Sequence, residues 1–367
     1  MKPLCLALLI LFSPVFARTA DNWPIFRGNT VLNGVSHSRF NPPLKLLWSY
    51  KTGDEIRSSP VVADNKVFVG SMDGHIYALD LSGKLLWKFK TETSVEASPI
   101  VIKKTVVAGS QSGVVYALDH QSGELKWSFR TQGQIVGSAN WFTDGLGLRV
   151  LVASHDFNLY CLDLESGNLI WTCETGNYLN GTPATDNRRV VIGGCDSYLH
   201  IIDARGKVLA QLEIGTYVAE SAAISGNLAY VGDYDGGFTC VDLVGMKQQW
   251  RFDNPRILPF LSAPAVNDKL VVIGSHDKRV YCFDKFSGEV LWTYQAYGKF
   301  ESSAVLIGNR VLICSDDGII HLLAAETGKA LYTYELGLPI KSTPALIDGL
   351  MIIGAKDGGL YAFETGP

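Results

Sequence analysis

The chain has 367 residues, of which 47% are hydrophobic, 19% charged and 11% aromatic. Such a high apolar content excludes an intrinsically disordered chain and supplies enough material for a buried core. The formal net charge of −4 argues against nucleic acid as a partner, because nucleic-acid-binding proteins carry clustered basic charge. The 37 glycines follow no collagen-like period, which indicates many turns and many short strands. Composition predicts a turn-rich globular protein and leaves its function open.

The first 17 residues have the order of a secretory signal peptide. Lys2 supplies a positive charge, residues 4–12 are an unbroken apolar run, and residues 15–17 end in Ala17, after which we expect cleavage. The alternative, a membrane anchor, is disfavoured because spanning a bilayer takes about 20 apolar residues. Lipidation is not expected, since Cys5 lies at the start of the apolar run rather than at its end. We predict a secreted protein, in the periplasm or on the periplasmic side of the outer membrane, with no transmembrane segment.

Nearly everything after residue 47 is an internal repeat. In the first complete unit, Ser59-Pro60 precedes an apolar run, and Tyr77-Ala78-Leu79-Asp80, a Ser-Gly turn and Trp87 follow. The unit recurs about every 41 residues, a spacing that indicates a repeat architecture. Each unit closes on an aromatic residue that we expect to pack between neighbouring units. These residues are Trp48, Trp87, Trp127, Trp171, Trp250, Trp292 and Tyr332, and Ala210 takes the same position in the one unit that lacks the aromatic.

Each unit contains four short runs that are rich in Val, Ile, Tyr and Trp and are separated by turn residues, which predicts four strands. Four antiparallel strands repeated at this period form the blade of a β-propeller. We therefore predict an all-β fold, a single eight-bladed β-propeller at residues 44–367 that follows an N-terminal extension at residues 18–43.

The two ends of the chain predict how the ring closes. The eighth unit ends after its third strand, and the missing strand is found at residues 44–48, before the first complete unit. We expect this N-terminal strand to complete the last blade, which also removes an exposed sheet edge.

The repeat, with its Tyr-Ala-Leu-Asp, Ser-Gly-Lys and Trp order, resembles the quinoprotein-type (PQQ-like) propeller repeat across residues 44–367. Two families are built from that repeat. One is BamB, the non-enzymatic periplasmic propeller subunit of the outer-membrane barrel-assembly machinery, and the other comprises the quinoprotein alcohol and glucose dehydrogenases. The segment at residues 22–29 is similar to the segment that precedes the first blade in many secreted proteins of this repeat class.

The dehydrogenase resemblance implies a stacking site for the quinone, a calcium held by carboxylates, a catalytic Asp and an adjacent Cys-Cys disulfide. The sequence has no Cys-Cys pair, and its repeats leave little room for long insertions. Six cysteines follow the signal peptide, and only Cys161 and Cys173 are placed so that a disulfide is worth testing. His155, His200, His276 and His321 recur in register on different units, which argues against one metal centre. We expect no catalytic residue, no metal and no cofactor, with PQQ and calcium as the alternative.

Aligning the units identifies the residues that enter each innermost strand, and these ring one mouth of the central channel. The candidate channel-mouth binding residues are Arg57, Glu96, Asn180, Glu220, Glu301 and Lys341. These groups either bind a small polar ligand or a partner segment, or pair with one another and with water. The loops before them hold the candidate partner-binding aromatics Tyr178, Tyr217, Phe260, Tyr297 and Phe300. These rings either face a partner or tuck into the blade ends.

These observations favour a monomeric, non-catalytic propeller scaffold that binds other proteins in the cell envelope. A role in outer-membrane protein assembly is the more specific form of this prediction. The alternative functions are a PQQ- or small-ligand-binding, quinoprotein-like protein that uses the channel mouth, and a protein that binds envelope polysaccharide through its loop aromatics.

Overall fold

The computed structural model describes residues 22–218 and 220–366, so the predicted signal peptide lies outside the described residues. These residues form eight sheets of four antiparallel strands, and one sheet also takes up the short strand Val35–Ser36 in parallel. The described residues form no helix, and therefore no helix that could cross a membrane. The first strands of neighbouring sheets lie side by side around a central channel, and the first strand of the eighth sheet contacts that of the first. The prediction of an eight-bladed β-propeller is confirmed.

Blades 1 to 7 each use four consecutive strands, and blade 8 takes its fourth strand from the N-terminal part of the chain. The N-terminal strands are β1 (Val35–Ser36) and β2 (Asn41–Lys51). Blades 1 to 4 contain β3 (Val61–Ala63), β4 (Lys66–Ser71), β5 (His75–Asp80), β6 (Leu85–Lys90); β7 (Ile100–Ile102), β8 (Thr105–Gly109), β9 (Val114–Asp119), β10 (Leu125–Arg130); β11 (Asn140–Thr143), β12 (Leu148–Ala153), β13 (Asn158–Asp163), β14 (Leu169–Glu174); β15 (Ala184–Thr185), β16 (Arg189–Gly193), β17 (Tyr198–Asp203) and β18 (Val208–Glu213). Blades 5 to 8 contain β19 (Ala223–Ser225), β20 (Leu228–Gly232), β21 (Gly237–Asp242), β22 (Lys247–Asp253); β23 (Ala265–Val266), β24 (Leu270–Gly274), β25 (Arg279–Asp284), β26 (Val290–Gln295); β27 (Val305–Ile307), β28 (Arg310–Cys314), β29 (Ile319–Ala324), β30 (Ala330–Glu335); β31 (Ala345–Ile347), β32 (Leu350–Gly354) and β33 (Gly359–Gly366).

Blade 8 closes the ring as the sequence predicts. Strand β2 pairs with β33 in antiparallel register, with Asn41 opposite Gly366 and Trp48 opposite Ala362. The pairing starts at Asn41, a few residues before the run that the repeat alone identifies. Because both chain ends belong to one sheet, β33 presents no open edge to solvent.

The repeated tryptophans lie at the junctions between blades. The indole N–H of each one donates to a main-chain carbonyl in the next blade, over 2.8–3.3 Å. Each ring also packs on the glycine of the next blade's outer turn; at Gly288, with φ +74°, a Cβ atom would lie 2.5 Å from Trp250 Cδ2. Glycine in that turn thus provides both the left-handed backbone and the space for the indole. The donor and acceptor pairs are Trp48 and Leu81, Trp87 and His120, Trp127 and Leu164, Trp171 and Ala204, Trp250 and Lys285, and Trp292 and Ala325.

The junction between blades 4 and 5 uses a different donor. Ala210 stands where the other blades have an aromatic ring, so no indole N–H reaches the corresponding carbonyl of Leu243. Instead Arg189 Nη1 donates to the Leu243 oxygen over 2.9 Å, while Asp186 holds the same guanidinium at 2.7 Å. The repeated carbonyl acceptor therefore keeps a donor even where the repeat loses its tryptophan.

The N-terminal strap, residues 22–38, follows the channel wall and contacts the innermost part of every blade in turn. Its backbone accepts hydrogen bonds from blades 1 to 7, and Ser38 Oγ donates to blade 8. The bonded pairs, in blade order, are Trp23 and Val62, Pro24 and Val101, Thr30 and Asn140, Thr30 and Thr185, Val31 and Ile224, Asn33 and Val266, Gly34 and Leu306, and Ser38 and Leu346. One segment thus ties all eight blades together.

The six cysteines of the described residues are free thiols. Cys161 and Cys173 lie on the paired strands β13 and β14, where Cys161 faces Trp171 and Cys173 faces Leu159. Both are buried, and burial raises the pKa of both thiols. They act as small apolar core residues.

Candidate functional site

The channel mouth is built on a ring of serine and threonine hydroxyls, one from each of seven blades. Each hydroxyl oxygen accepts a hydrogen bond from the equivalent backbone amide of the preceding blade, over 2.8–3.1 Å. These bonds run around the channel and join the start of each inner strand to the next. We call this set the hydroxyl ring: Ser59, Ser98, Ser138, Thr182, Ser221, Ser303 and Thr343.

The hydroxyl ring has one interruption, in blade 6. Ala263 occupies the equivalent position there, so blade 6 offers no hydroxyl acceptor to the equivalent amide of blade 5. The amide of Ser303 in blade 7 still donates to the hydroxyl of blade 8. Ala263 nevertheless donates its own amide to Ser303 Oγ over 2.9 Å. The ring is therefore continuous except between blades 5 and 6.

All six predicted channel-mouth residues surround one cavity of about 120 Å³, which we call the mouth cup. Its wall is the hydroxyl ring, and Phe26 of the N-terminal strap reaches it from the channel side. Arg57, Glu96, Asn180, Glu220, Glu301 and Lys341 form its rim, and each of them is half-buried. The repeat alignment thus brings together side chains that are far apart in sequence.

The charged groups of the rim are largely paired with one another. Arg57 Nε donates to Glu55 over 2.6 Å, and Arg57 Nη1 lies 3.5 Å from Glu96 Oε1. Glu301 receives Lys299 at 2.5 Å and Lys341 at 2.7 Å, with His276 Nε2 at 3.5 Å. Its neighbours, His276 first and then the two lysines, hold the pKa of Glu301 well below its usual range, against burial, which raises it.

Glu220 differs from the other rim carboxylates because no side chain of the described residues forms an ion pair with it. Burial is the main reason why its pKa is raised from 4.5 to about 8; the negative charges of Glu301 and Glu96 act in the same direction, and the Ser221 amide and Arg27 act against it. The side chain is half-buried and lines the cup. The raised pKa of Glu220 favours its protonated form at neutral pH.

The raised pKa predicts how Glu220 affects stability. The folded state holds the proton up to about pH 8, whereas the unfolded chain releases it near 4.5, so stability is lost as pH rises through that window. We expect Glu220→Gln to match the parent protein at about pH 4.5 and to be the more stable of the two above about pH 8. Urea midpoints of both proteins across this range provide the measurement. Parallel curves for the two proteins would contradict the assignment.

Arg27 lies just below the hydroxyl ring and is completely buried. Its guanidinium donates to the carbonyls of Pro264 at 2.8 Å and Leu32 at 3.5 Å, and also to that of Ala304. Burial lowers the pKa of Arg27 to about 9, partly offset by Glu220. Because main-chain carbonyls of blades 6 and 7 hold this charge, Arg27 fixes the strap to the channel wall instead of forming a salt bridge with Glu220.

The predicted partner-binding aromatics fall into two groups. Tyr178, Tyr217 and Tyr297 are exposed by 48%, 53% and 88% on the face that carries the cup. Phe260 and Phe300 are completely buried, so their prediction as surface aromatics is wrong and the alternative, tucking into the blade ends, holds. A Cβ atom on Gly232 or Gly274 would lie 2.4 Å from the Cβ atom of Phe260 or Phe300 respectively, so the base of each phenylalanine side chain covers a strand-end glycine.

Four further exposed groups extend the tyrosine surface. Tyr234 donates its amide to the Tyr217 carbonyl over 3.0 Å, and the ring of Phe157 lies 5.3 Å from that of Tyr178. Ile257 and Leu258 belong to the loop before Phe260. We call the whole set the mouth patch: Phe157, Tyr178, Tyr217, Tyr234, Ile257, Leu258 and Tyr297.

The histidines are distributed around the ring, each with its own local contact. His200 Nε2 is 2.8 Å from Asp196, at the position where Tyr77 contacts Asp73 at 2.6 Å. His155 Nε2 lies 2.6 Å from the Asn180 side-chain oxygen, and its ring packs on Tyr178. Within residues 22–218 and 220–366, no group of three or more His, Cys, Asp or Glu side chains is placed to hold a metal ion.

The residues of the mouth cup do not fit PQQ with calcium. A volume of about 120 Å³ is small for a rigid, planar, tricyclic quinone, since drug-sized ligands occupy pockets of roughly 300 Å³ or more. Glu96 and Glu301 are bound by arginine and lysine, and Glu220 holds a proton, so the carboxyl groups are not arranged as cation ligands.

The fold and the mouth together define the class of this protein as a closed eight-bladed propeller of the PQQ-like repeat type. The family model described as "Outer membrane protein assembly factor BamB" matches residues 43–144 and 195–304, which is more than half of the chain. The chain belongs to this family. A second model, described as "Lambda-carrageenase beta-propeller domain", matches residues 105–231. No curated protein sequence matches the chain.

Solved structures share the fold at low sequence identity. BamB from Moraxella catarrhalis is 18% identical, with a TM-score of 0.75 over 88% of this chain and 100% of that one. A quinohemoprotein alcohol dehydrogenase from Comamonas testosteroni is 13% identical, with a TM-score of 0.79 over 94% of this chain and 80% of that one. The computationally designed Ika8 protein is 21% identical, with a TM-score of 0.75 over 87% of this chain and 99% of that one. At these identities the likeness extends to the fold alone, which scaffolds and enzymes share.

Sequence reasoning overlooked the hydroxyl ring and the strap. The hydroxyl ring has a visible signal, since a serine or threonine precedes the proline position in every unit except that of Ala263. The strap has a weaker signal, because most of its hydrogen bonds to the blades run through its own main chain, which any sequence supplies, while Arg27 and Ser38 add side-chain donors.

Proposed function

We propose that this protein is a non-catalytic propeller scaffold that binds other proteins in the periplasmic part of the cell envelope, in the assembly of outer-membrane proteins. The observation that carries the proposal is the mouth patch, which gathers exposed tyrosines and aliphatic side chains on one face of a rigid ring. Tyrosine is enriched at protein interfaces, and rigid rings lose little conformational entropy when a partner covers them. Membership of the BamB family supports both the location and the class of partner.

The pairing of Glu96 and Glu301, two of the three rim carboxyls, supports a non-catalytic role. Proton transfer in catalysis needs an acid or a base whose lone pair or proton is available to a substrate. Glu301 is held by two lysines, and Glu96 accepts from Gln111 at 2.7 Å as well as facing Arg57. These carboxylates serve to neutralise neighbouring charges at the mouth.

Site-specific photo-crosslinking in the native organism tests the proposal. A benzophenone side chain would replace Tyr217 or Tyr297, with the matched control at Leu146, which is 90% exposed in the turn between β11 and β12 on the opposite face. We expect crosslinks to a component of the outer-membrane assembly machinery from both tyrosine positions and none from Leu146. Equal crosslinking at all three positions, or crosslinks to no envelope protein, would contradict the proposal.

The second candidate function is binding of PQQ or another small ligand at the channel mouth. The presence of a polar cavity at the mouth favours a small ligand, and the fold shared with quinoprotein dehydrogenases is the argument for PQQ, against the poor fit of the cup's residues to that group. Calorimetric titration with PQQ and calcium, followed by a dye-linked assay with alcohols and sugars, separates the two candidates. Saturable PQQ binding with turnover would replace the scaffold proposal.

A further inference from the structure

The hydroxyl ring offers the mouth cup an unusual set of hydrogen-bonding groups. A serine or threonine hydroxyl has one donor and two lone pairs. In the hydroxyl ring one lone pair of each oxygen accepts the amide of the preceding blade. Each member therefore retains one donor and one acceptor, and all seven line the cup.

The ionisable groups of the rim leave little free charge for a ligand. Arg57 is shared between Glu55 and Glu96, and Glu301 binds both Lys299 and Lys341. Arg27, below the cup, donates to main-chain carbonyls. The Glu220 carboxyl has no ion-pair partner among the described side chains and, when protonated, also offers both a donor and acceptors.

A ligand that fits these groups must itself present donors and acceptors together. An ammonium ion offers only donors and an oxyanion only acceptors, so either one leaves half of the cup's polar groups unmatched, which is costly once water is displaced. The hydroxyl groups of a polyol supply both. The cavity volume of about 120 Å³ is several times the volume that one water needs, so the cup has room for a compact polar ligand.

Aromatic rings stand beside the cup on the same face. Tyr178 lies two residues before Asn180, and His155 joins them by packing on the tyrosine ring and hydrogen bonding to the amide oxygen at 2.6 Å. Tyr217 lies three residues before Glu220. An exposed aromatic face beside hydroxyl donors and acceptors suits a ring that has a polar edge and an apolar face.

We propose that the mouth cup is a binding site for a neutral sugar residue, held by the hydroxyl ring and the Glu220 carboxyl, with Tyr178 and Tyr217 flanking the route out of the cup. This site is separate from the protein-binding role of the mouth patch and stands without it. A partner bound on the mouth patch would lie over the bound sugar, so sugar binding and partner binding would be coupled.

Calorimetry with small probes tests the proposal on the mature chain. The probes are glucose, galactose, N-acetylglucosamine and their linear di- to tetrasaccharides, with n-butylamine and inorganic sulfate as the donor-only and acceptor-only controls. We expect saturable binding of at least one sugar and weaker or no binding of both controls. Tighter binding of the tetrasaccharide than of the monosaccharide identifies a polysaccharide end as the natural ligand, and equal binding identifies a free sugar.

Variants of Glu220 distinguish the cup from other surfaces. Glu220→Leu should weaken sugar binding at least about tenfold, because it leaves a ligand hydroxyl unpaired. Glu220→Gln keeps a donor and an acceptor, so it should bind like the parent at neutral pH. Above about pH 8 the parent should lose affinity as Glu220 ionises beside Glu96 and Glu301, and the Gln variant should not. The exposed Glu326→Leu is the control that should change nothing.

Ser98→Ala provides a second test if Glu220→Leu fails to fold, since it removes one hydroxyl from the cup wall and should also weaken binding. Circular dichroism melting checks the fold of each variant. The proposal is overturned by the absence of saturable sugar binding, by butylamine or sulfate binding as tightly as the best sugar, or by affinity that is unchanged in folded Glu220→Leu and Ser98→Ala.

Discussion

A chain that begins at residue 52 is expected to lose its cooperative fold, or to melt far below the protein that begins at residue 22. The truncation removes β2, which pairs along β33, and Trp48, which joins blade 8 to blade 1. It also removes the strap and its hydrogen bonds to all eight blades. We expect the loss to exceed about 5 kcal/mol, the lower end of the whole stability of a typical domain. Urea unfolding followed by tryptophan fluorescence measures it.

A rearranged chain separates the closing strand from the strap. Since Asn41 lies opposite Gly366, residues 41–51 can follow residue 366 through a short Gly-Ser linker, in a chain that starts at residue 52. This protein regains blade 8 and lacks the strap, so its stability should lie between those of the truncated and reference proteins. If the truncated chain melts like the reference, ring closure by β2 does not stabilise the fold. If the rearranged chain matches the reference, the strap contributes nothing.

Trp250→Ala is expected to destabilise the protein by about 3–5 kcal/mol, the range for removing a large buried aromatic side chain. Trp250 is buried between blades 5 and 6, where its ring stacks on Phe283 with centroids 5.9 Å apart and its N–H reaches the Lys285 carbonyl. Trp250→Phe keeps an apolar ring and loses the N–H donor, while the Lys285 carbonyl still accepts from the Tyr230 hydroxyl at 3.2 Å. It should therefore cost less, on the order of 0.5–1.5 kcal/mol for one lost hydrogen bond. Chemical denaturation of the three proteins gives the values.

Trp171→Ala is the matched control, because Trp171 occupies the same repeat position but is only half-buried. It makes the same kind of bond, to the Ala204 carbonyl, so its loss should cost less than that of Trp250 in proportion to the smaller buried ring. Equal losses at the two positions would show that the hydrogen bond, and not the buried ring, stabilises the junctions. A loss below about 1 kcal/mol at Trp250 would contradict the interface role.

The mouth shows where prediction from repeats succeeds and where it fails. Aligned units place equivalent residues at equivalent levels of the ring, so Arg57 and Lys341 can be assigned to one mouth from opposite ends of the chain. The same alignment places Phe260 and Phe300 at the repeat position that Val95 occupies just before the first strand of blade 2. There the Val95 side chain covers Gly70. Loop position alone does not separate a ring that covers a glycine from one that faces solvent.

The sequence by itself determined the blade count, the four-strand unit and the closing strand, because these depend on local periodicity and on which strand the last unit lacks. Tertiary structure alone decided the path of the strap, the pairing of Arg57 with Glu55 and Glu96, and the raised pKa of Glu220. Those properties depend on distances between blades, which exist only once the ring is closed. Composition and periodicity describe each blade, whereas the chemistry of the mouth belongs to all eight together.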